Sequence, residues 1–211
     1  MKQPKVIVVA SGPGPAVVVP DAETVVAADG GLDRALALGL AVDVVIGDLD
    51  SVSDAALAAA EAAGTRVVRH PAAKDASDLE LALDEAIALG ARRVLVIASA
   101  NGRLDHLLAS LELLAADRYA ELELDAAVGD ALVHVIRGRR VLEGAPGDLV
   151  SLIPVAGPVE GVTTSGLEYP LSGETLAPGT TRGVSNVFVD AVARVEIATG
   201  VLLAIRPGGQ A

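Results

Sequence analysis

The sequence predicts an α/β domain built on a parallel sheet, followed by an all-β sandwich or flattened barrel. Three observations carry this reading. Up to Gly129, apolar runs of Val and Ile alternate with Ala- and Leu-rich helical stretches, the pattern of a parallel sheet covered by helices. After Gly129, short β-branched runs follow one another with Gly and Pro between them and no helical periodicity, as in an antiparallel sandwich. Aromatic residues make up only 1% of the chain, so both cores must be aliphatic and Tyr119, Tyr169 and Phe188 become individually informative.

Composition narrows the function classes. The 211 residues suffice for one large domain or two small ones, and the pattern change places the division at residues 1–136 and 137–211. No apolar run approaches the ~20 residues of a membrane span. The chain has no cysteine, which excludes disulfides and thiolate chemistry and predicts a cytoplasmic protein. A net charge of −12 argues against nucleic acid or an anionic membrane as partner. An anionic substrate such as a nucleotide would then need a metal to bridge it to this surface.

In chain order, Lys5–Ala10 reads as a buried strand and Ser11–Pro15 as a Gly/Pro loop without a phosphate-binding fingerprint. Thr24–Ala28 is a second strand, ending in Asp29-Gly30-Gly31 before a helix over 32–38 that Gly39 terminates. The paired glycines and helix start suit a nucleotide contact, and equally a plain tight turn. The run Val44–Gly47 is followed by Asp48-Leu49-Asp50-Ser51, which places two carboxylates at the carboxyl edge of the sheet, where open α/β sheets bind ligands. Acids at i and i+2 repel unless a cation lies between them, and oxygen-only ligation suits Mg²⁺. The plainer reading is a solvated turn with Ser51 capping the next helix, which spans about 54–63 before Gly64.

A strand at Arg66–Arg69 ends at His70-Pro71. Ser77 and Glu80 then have capping-box spacing, which puts Ser77 at the N-cap of a helix to about Leu89 with Asp78 in its first turn. Acids in a first helical turn favour the helix dipole without any further role, but this helix start follows a strand, so Asp78 is expected at the same sheet edge as Asp48 and Asp50, where a third carboxylate would complete a metal site. Arg93–Ala98 is another buried strand. Arg103, Asp105 and His106 follow it, and Arg is the preferred partner of phosphate oxygens. The next helix is expected to bury Leu107, Leu108, Leu111 and Leu114 on one face. In the second domain strands are expected near 131–136, 140–142, 148–153, 161–164, 187–189, 193–197 and 201–205, with hairpin turns at Gly138 and Ala198-Thr199-Gly200.

Seven of these segments, taken in order, resemble the successive motifs of the thiamine pyrophosphokinase family. They are Ala28–Gly31, Ile46–Ser51, Lys74–Glu80, Gly102–His106, Val150–Pro154, Thr164–Leu171 and Gly183–Asn186. The resemblance implies an N-terminal α/β domain, a C-terminal β-sandwich and a homodimer with thiamine bound between subunits. It also implies a reaction in which ATP and thiamine give AMP and thiamine diphosphate. Position by position it makes Asp48, Asp50 and Asp78 the Mg²⁺ ligands, and lines the ATP site with Asp29, Gly30, Gly31, Arg103, Asp105 and His106. It assigns Tyr169, Ser185 and Asn186 to thiamine. Asn101, Leu49 and Ser77 depart from the family's common Gly, Phe and Thr, and none of these changes removes a charge.

In-line attack of a hydroxyl on the β-phosphorus asks a protein mainly to position groups and neutralise charge, which three acids on Mg²⁺ and one Arg on phosphate would do. The proton acceptor is open between Asp75 and a metal-held carboxylate, and His106 fits either a hydrogen-bonding support or an acid–base role. Two other readings share the acids: a diphosphokinase for another alcohol such as 6-hydroxymethylpterin, and a non-catalytic nucleotide-binding module. Tyr169 with Ser185-Asn186 favours thiamine over the pterin alcohol. The complete set of acids disfavours a non-catalytic module.

Overall fold

The structure, a computed structural model, describes residues 5–12 and 21–208, and the chain divides into two compact units. The first comprises Met1–Ser110 with Glu121–Asp130, the second Leu111–Ala120 with Ala131–Ala211. Pro13 to Pro15 of the expected Gly/Pro loop lie outside the described residues.

Among the described residues, six strands form the first unit's sheet: β1 (Lys5–Val9), β2 (Thr24–Ala28), β3 (Val44–Gly47), β4 (Arg66–Arg69), β5 (Arg93–Ala98) and β6 (Glu123–Val128). Their order is β4-β3-β2-β1-β5-β6 and every neighbouring pair is parallel. Ile7, Val8, Val9, Val26, Ala27 and Val45 are fully buried, as expected for central strands covered on both faces. Helices α1 (Gly31–Ala37), α2 (Asp54–Ala62), α3 (Asp78–Ala88) and α4 (Leu104–Leu114) alternate with the strands. Gly39 and Gly64 stop α1 and α2 in the left-handed conformation, at φ 73° and 86°, as helix-terminating glycines do.

The chain leaves β1 toward β2 and later returns to β5 on the opposite side of β1, so the topological switch lies between β1 and β5, a place where such sheets open a ligand crevice. Helix α4 differs from expectation. Leu114 is its buried residue, while Leu104 and Leu108 stand 68% and 56% exposed. Leu107, Leu111 and Leu114 share a stripe, and Leu108 is turned about 100° from Leu107, which carries it out of the packed face.

The second unit holds β7 (Ala131–Ile136), β8 (Arg139–Glu143), β9 (Leu149–Ser165), β10 (Glu174–Leu176), β11 (Asn186–Val187), β12 (Val192–Glu196) and β13 (Thr199–Arg206). Antiparallel pairing runs β7-β13-β9-β12-β8, with β10 and β11 also on β9. The segments expected as separate strands at 148–153 and 161–164 are one 17-residue strand, bent where Ala156, Gly157 and Gly161 take positive φ. The first part of β9 pairs with β13 and its last part with β12, so one strand serves both sections of the sandwich. Its core is aliphatic apart from Phe188.

Neither expected hairpin forms. The Gly138 turn joins β7, which pairs with β13, to β8, which pairs with β12. Ala198-Thr199-Gly200 joins β12 to β13, which lie on opposite sides of β9. Gly and Thr specify a tight change of direction, but which strands then pair is decided by burial of their apolar faces. Strand β10 has only three residues, too few for any periodicity to reveal.

Candidate active site

Three acids converge at the carboxyl edge of the first unit's sheet. Asp29 directly follows β2 and Asp48 directly follows β3, strands paired in the register Ala28↔Ile46. The Asp29 amide continues that pairing by donating to the Ile46 carbonyl at 2.9 Å. Asp78 is the first residue of α3, whose N-cap Ser77 accepts from the Glu80 amide at 3.2 Å. One carboxylate oxygen from each of Asp29, Asp48 and Asp78 lies within 4.8 Å of the other two. Gly47 makes the convergence possible. A Cβ there would stand 2.8 Å from Asp78 Oδ1 and 3.1 Å from Asp29 Cβ, and its φ of 147° is one that side-chain-bearing residues rarely adopt.

The cluster is electrostatically incomplete. Asp29 is 5% exposed and its Oδ1 has no hydrogen-bond partner. The Lys74 ammonium lies 3.2 Å from Asp48 Oδ2 and 3.1 Å from Asp78 Oδ1. The contact to Asp78 is an ion pair by distance without hydrogen-bond geometry. Burial raises the Asp78 carboxyl above its ordinary value, Lys74 works against this, and the charges of Asp29 and Asp48 push it further up. Asp48 is held low, chiefly by the hydrogen bond from Lys74. Burial would lower Lys74, but its ion pairs with Asp78 and Asp48 prevail and hold it above its ordinary value.

Three carboxylates and one ammonium leave two negative charges beside the orphaned Asp29 Oδ1. Buried charge of that kind calls for a cation, and an all-oxygen donor set fits Mg²⁺.

Asp50 and Asp75 stand outside this cluster. Leu49 adopts a left-handed conformation, φ 63°, which breaks the alternation that would put Asp48 and Asp50 on one side. Asp50 is exposed and accepts from the Ser51 hydroxyl at 2.9 Å, and Asp75 is likewise exposed. Ser51 does not cap α2. That position belongs to Ser53, which accepts from the Ala56 amide and donates through its own amide and hydroxyl to Asp33.

Among the residues expected at a nucleotide, Gly31 has a packing reason of its own, since a Cβ there would lie 2.0 Å from the Val9 carbonyl oxygen. Gly30 is tight against the Ser51 carbonyl and the Ser11 hydroxyl. Arg103 and Asp105 form a two-pronged ion pair at 2.6 and 3.2 Å, both well exposed at the start of α4. The Arg103 guanidinium holds the Asp105 carboxyl down at about 2. His106 is exposed in the first turn of α4.

In the second unit, Tyr169 is 54% exposed in the loop after β9. Asn186 is buried, and its side chain accepts from the Tyr169 amide at 3.0 Å and donates to the Tyr169 carbonyl at 2.8 Å. It thus pins the backbone that presents the ring. Ser185 is exposed at φ 58°, and its amide donates to the Ser151 hydroxyl at 3.1 Å.

Sequence reasoning assigned Asp29 to the nucleotide and gave Lys74 no role. Two adjacent parallel strands that each end in an acid were a legible signal for the first. For the second, the i,i+4 spacing of Lys74 and Asp78 was the available one.

Similarity to known proteins runs through both units. Residues 17–124 match the family profile "Thiamin pyrophosphokinase, catalytic domain", and residues 133–202 match "Thiamin pyrophosphokinase, vitamin B1 binding domain". The thiamine pyrophosphokinase of Bacillus subtilis (strain 168) is 26% identical over 182 residues, 84% of either chain. A solved thiamin pyrophosphokinase from Geobacillus thermodenitrificans is 27% identical, with TM-score 0.82 over 98% of this chain and 99% of its own. The solved Bacillus subtilis structure gives TM-score 0.85 at 23% identity, covering 98% and 100% of the two chains, a likeness of fold. With both profiles matched in order along one chain, and an acid cluster at the edge where such a sheet binds ligands, the protein belongs to the thiamin pyrophosphokinase family and is an enzyme of that type.

Proposed function

We propose that the chain transfers a diphosphate group from ATP to the hydroxyl of thiamine, giving thiamine diphosphate and AMP. The observation that carries this reading is the convergence of Asp29, Asp48 and Asp78, with the buried Asp29 Oδ1 unpartnered, at the carboxyl edge of a parallel sheet in a chain of this family. In the reaction the thiamine oxygen bonds to the β-phosphorus, the bond from that phosphorus to the α,β-bridging oxygen breaks, and AMP leaves with the electron pair.

Asp48 and Asp78 hold Mg²⁺ in this proposal, with the buried Asp29 as the third donor. Asp50, exposed one residue past the left-handed Leu49, joins them once the nucleotide is present. When bound, the ion would neutralise phosphate charge. Arg103, freed from Asp105, places its planar fork on phosphate oxygens, while Asp29–Gly31 and His106 line the nucleotide site. The hydroxyl proton passes to Asp75 or to one of the clustered carboxylates. Tyr169 stacks on the flat cationic rings of thiamine, a modest gain of ~1 kcal/mol. Ser185 offers its exposed hydroxyl, and Asn186 holds the Tyr169 backbone in place.

We further propose that the first unit acts as the ATP- and Mg²⁺-binding domain and the second as the thiamine-binding domain of a cytoplasmic C2 homodimer, with thiamine bound across its interface. Among the described residues, no helix is long and apolar enough to cross a membrane.

The test is to incubate purified protein with ATP, Mg²⁺ and either thiamine or 6-hydroxymethylpterin, and to quantify AMP together with the diphosphate product. One AMP per thiamine diphosphate is expected. Turnover of the pterin alcohol alone would replace thiamine as acceptor, and no turnover of either would leave a nucleotide-binding module. Light scattering that gave a monomer mass at full activity would remove the shared site.

A further inference from the structure

We propose that Lys74 is a tethered cation of the acid cluster, holding Asp48 and Asp78 together until a divalent ion binds and then swinging out to meet nucleotide phosphate. The inference rests on reading the cluster as a metal site and concerns what this chain's own residue does there.

Lys74 lies in the connection between β4 and α3, and its Nζ stands nearly midway between two acids from different elements, 3.2 Å from Asp48 Oδ2 and 3.1 Å from Asp78 Oδ1. The three side chains are 13%, 17% and 29% exposed, unlike the surface pair Arg139–Glu196 at 72% and 54%. Without the ammonium, Asp29, Asp48 and Asp78 would set three carboxylates within 4.8 Å of one another with no counter-ion among the described residues.

The ammonium therefore occupies the place where a cation is required, yet it completes the site poorly. It leaves Asp29 Oδ1 unpartnered and meets Asp78 Oδ1 outside hydrogen-bond geometry. A divalent ion draws carboxylate oxygens to ~2.1 Å, and two cations cannot share one wedge between the same acids without strong repulsion. Lys74 must then leave. Its four-carbon stem lets Nζ move several ångströms with the backbone fixed, and a mobile point charge suits phosphate oxygens.

The chain has three lysines, Lys2, Lys5 and Lys74, which makes the side chain easy to follow. Protein labelled with ¹⁵N-lysine is titrated with MgCl₂ alone while the Nζ resonance missing from Lys74→Met is monitored, and Mg²⁺ binding is measured in parallel by calorimetry. The Lys74 resonance should shift with the same midpoint as Mg²⁺ binding. Lys74→Met and Lys74→Gln should bind Mg²⁺ about tenfold tighter, because nothing has to be displaced. Both variants should also raise KM for ATP at saturating Mg²⁺ while leaving KM for thiamine unchanged. An Nζ resonance that stays fixed while Mg²⁺ saturates the protein, or variants that bind Mg²⁺ no tighter than wild type, would overturn the proposal while leaving the metal site standing. If Mg²⁺ bound neither wild type nor Lys74→Gln, the metal site itself would fall, and the role of Lys74 with it.

Discussion

The carboxyl edge of the first unit's sheet and the Tyr169 loop of the second are built in opposite ways. At the sheet edge, three acids are crowded into a partly dry place with one ammonium among them, and the buried Asp29 Oδ1 is left without a partner. In the loop, the buried polar side chain, Asn186, is fully engaged with the backbone of Tyr169, and the exposed ring is what remains available. The first region holds three like charges close together around one ammonium, whereas the polar side chain of the second is hydrogen-bonded to the chain's own backbone. Substitutions should divide accordingly: at the acids function is lost and the fold tolerates the change, while at Asn186 the fold bears the loss first.

The largest effect belongs to the acids. Asp48→Asn and Asp78→Asn keep side-chain shape and remove charge, so turnover should drop by about 10³-fold or more. The melting temperature of the metal-free protein should fall slightly for Asp48→Asn, which gives up the charge that Lys74 holds low, and should rise for Asp78→Asn, because a carboxyl kept above its ordinary value by burial is one the fold would rather have neutral. Steady-state AMP release and thermal unfolding check the two halves. A variant that lost both activity and fold would erase the contrast between the regions.

Gly47→Ala attacks the same cluster through the backbone. The new methyl would press on Asp78 Oδ1 at a φ that alanine avoids, and about a hundredfold loss of kcat with a modest loss of stability is expected. In the loop, Asn186→Ala should destabilise by about 1–3 kcal/mol in denaturant unfolding, since two backbone groups of Tyr169 lose their partner. Tyr169→Ala, at an exposed ring, should change stability by less than about 0.5 kcal/mol while raising KM for thiamine roughly tenfold and sparing KM for ATP.

The smallest effect is a titration. Asp105 sits at about 2 because of Arg103. Its value is depressed on folding, so whatever the pair contributes is fully present above the ordinary carboxylate value and disappears as pH falls through about 2. If Arg103 leaves for phosphate, adding a non-hydrolysable ATP analogue should raise the Asp105 carboxyl toward 3.8, as read by side-chain carbonyl NMR.

Much of this could be read from the sequence, and the gaps have physical causes. The run Val44–Gly47, the Ser77 cap and the position of Asp78 at α3 follow from local chemistry, and each stands where expected. The topology of the second unit does not follow from local chemistry. The turns at Gly138 and Gly200 specify backbone conformation, whereas the bent β9, which serves both sections of the sandwich, decides the partners. At the site, the i,i+2 spacing of Asp48 and Asp50 suggested a shared ion. The left-handed Leu49 separates the two, and Asp29 comes in from the neighbouring strand because parallel register places it there. For Asn186 residue type does not reveal the partner, since its amide reaches the backbone of Tyr169, 17 residues away in the chain.

The central claim is that Asp29, Asp48 and Asp78 form one cation centre without help from nucleotide or from Asp50. It is tested most directly by titrating Mn²⁺ into nucleotide-free protein and counting free ion by electron paramagnetic resonance. One ion should bind per chain, with affinity reduced about a hundredfold in Asp29→Asn and in Asp48→Asn and nearly unchanged in Asp50→Asn. Loss of the ion in Asp50→Asn together with wild-type binding in Asp29→Asn would contradict the account.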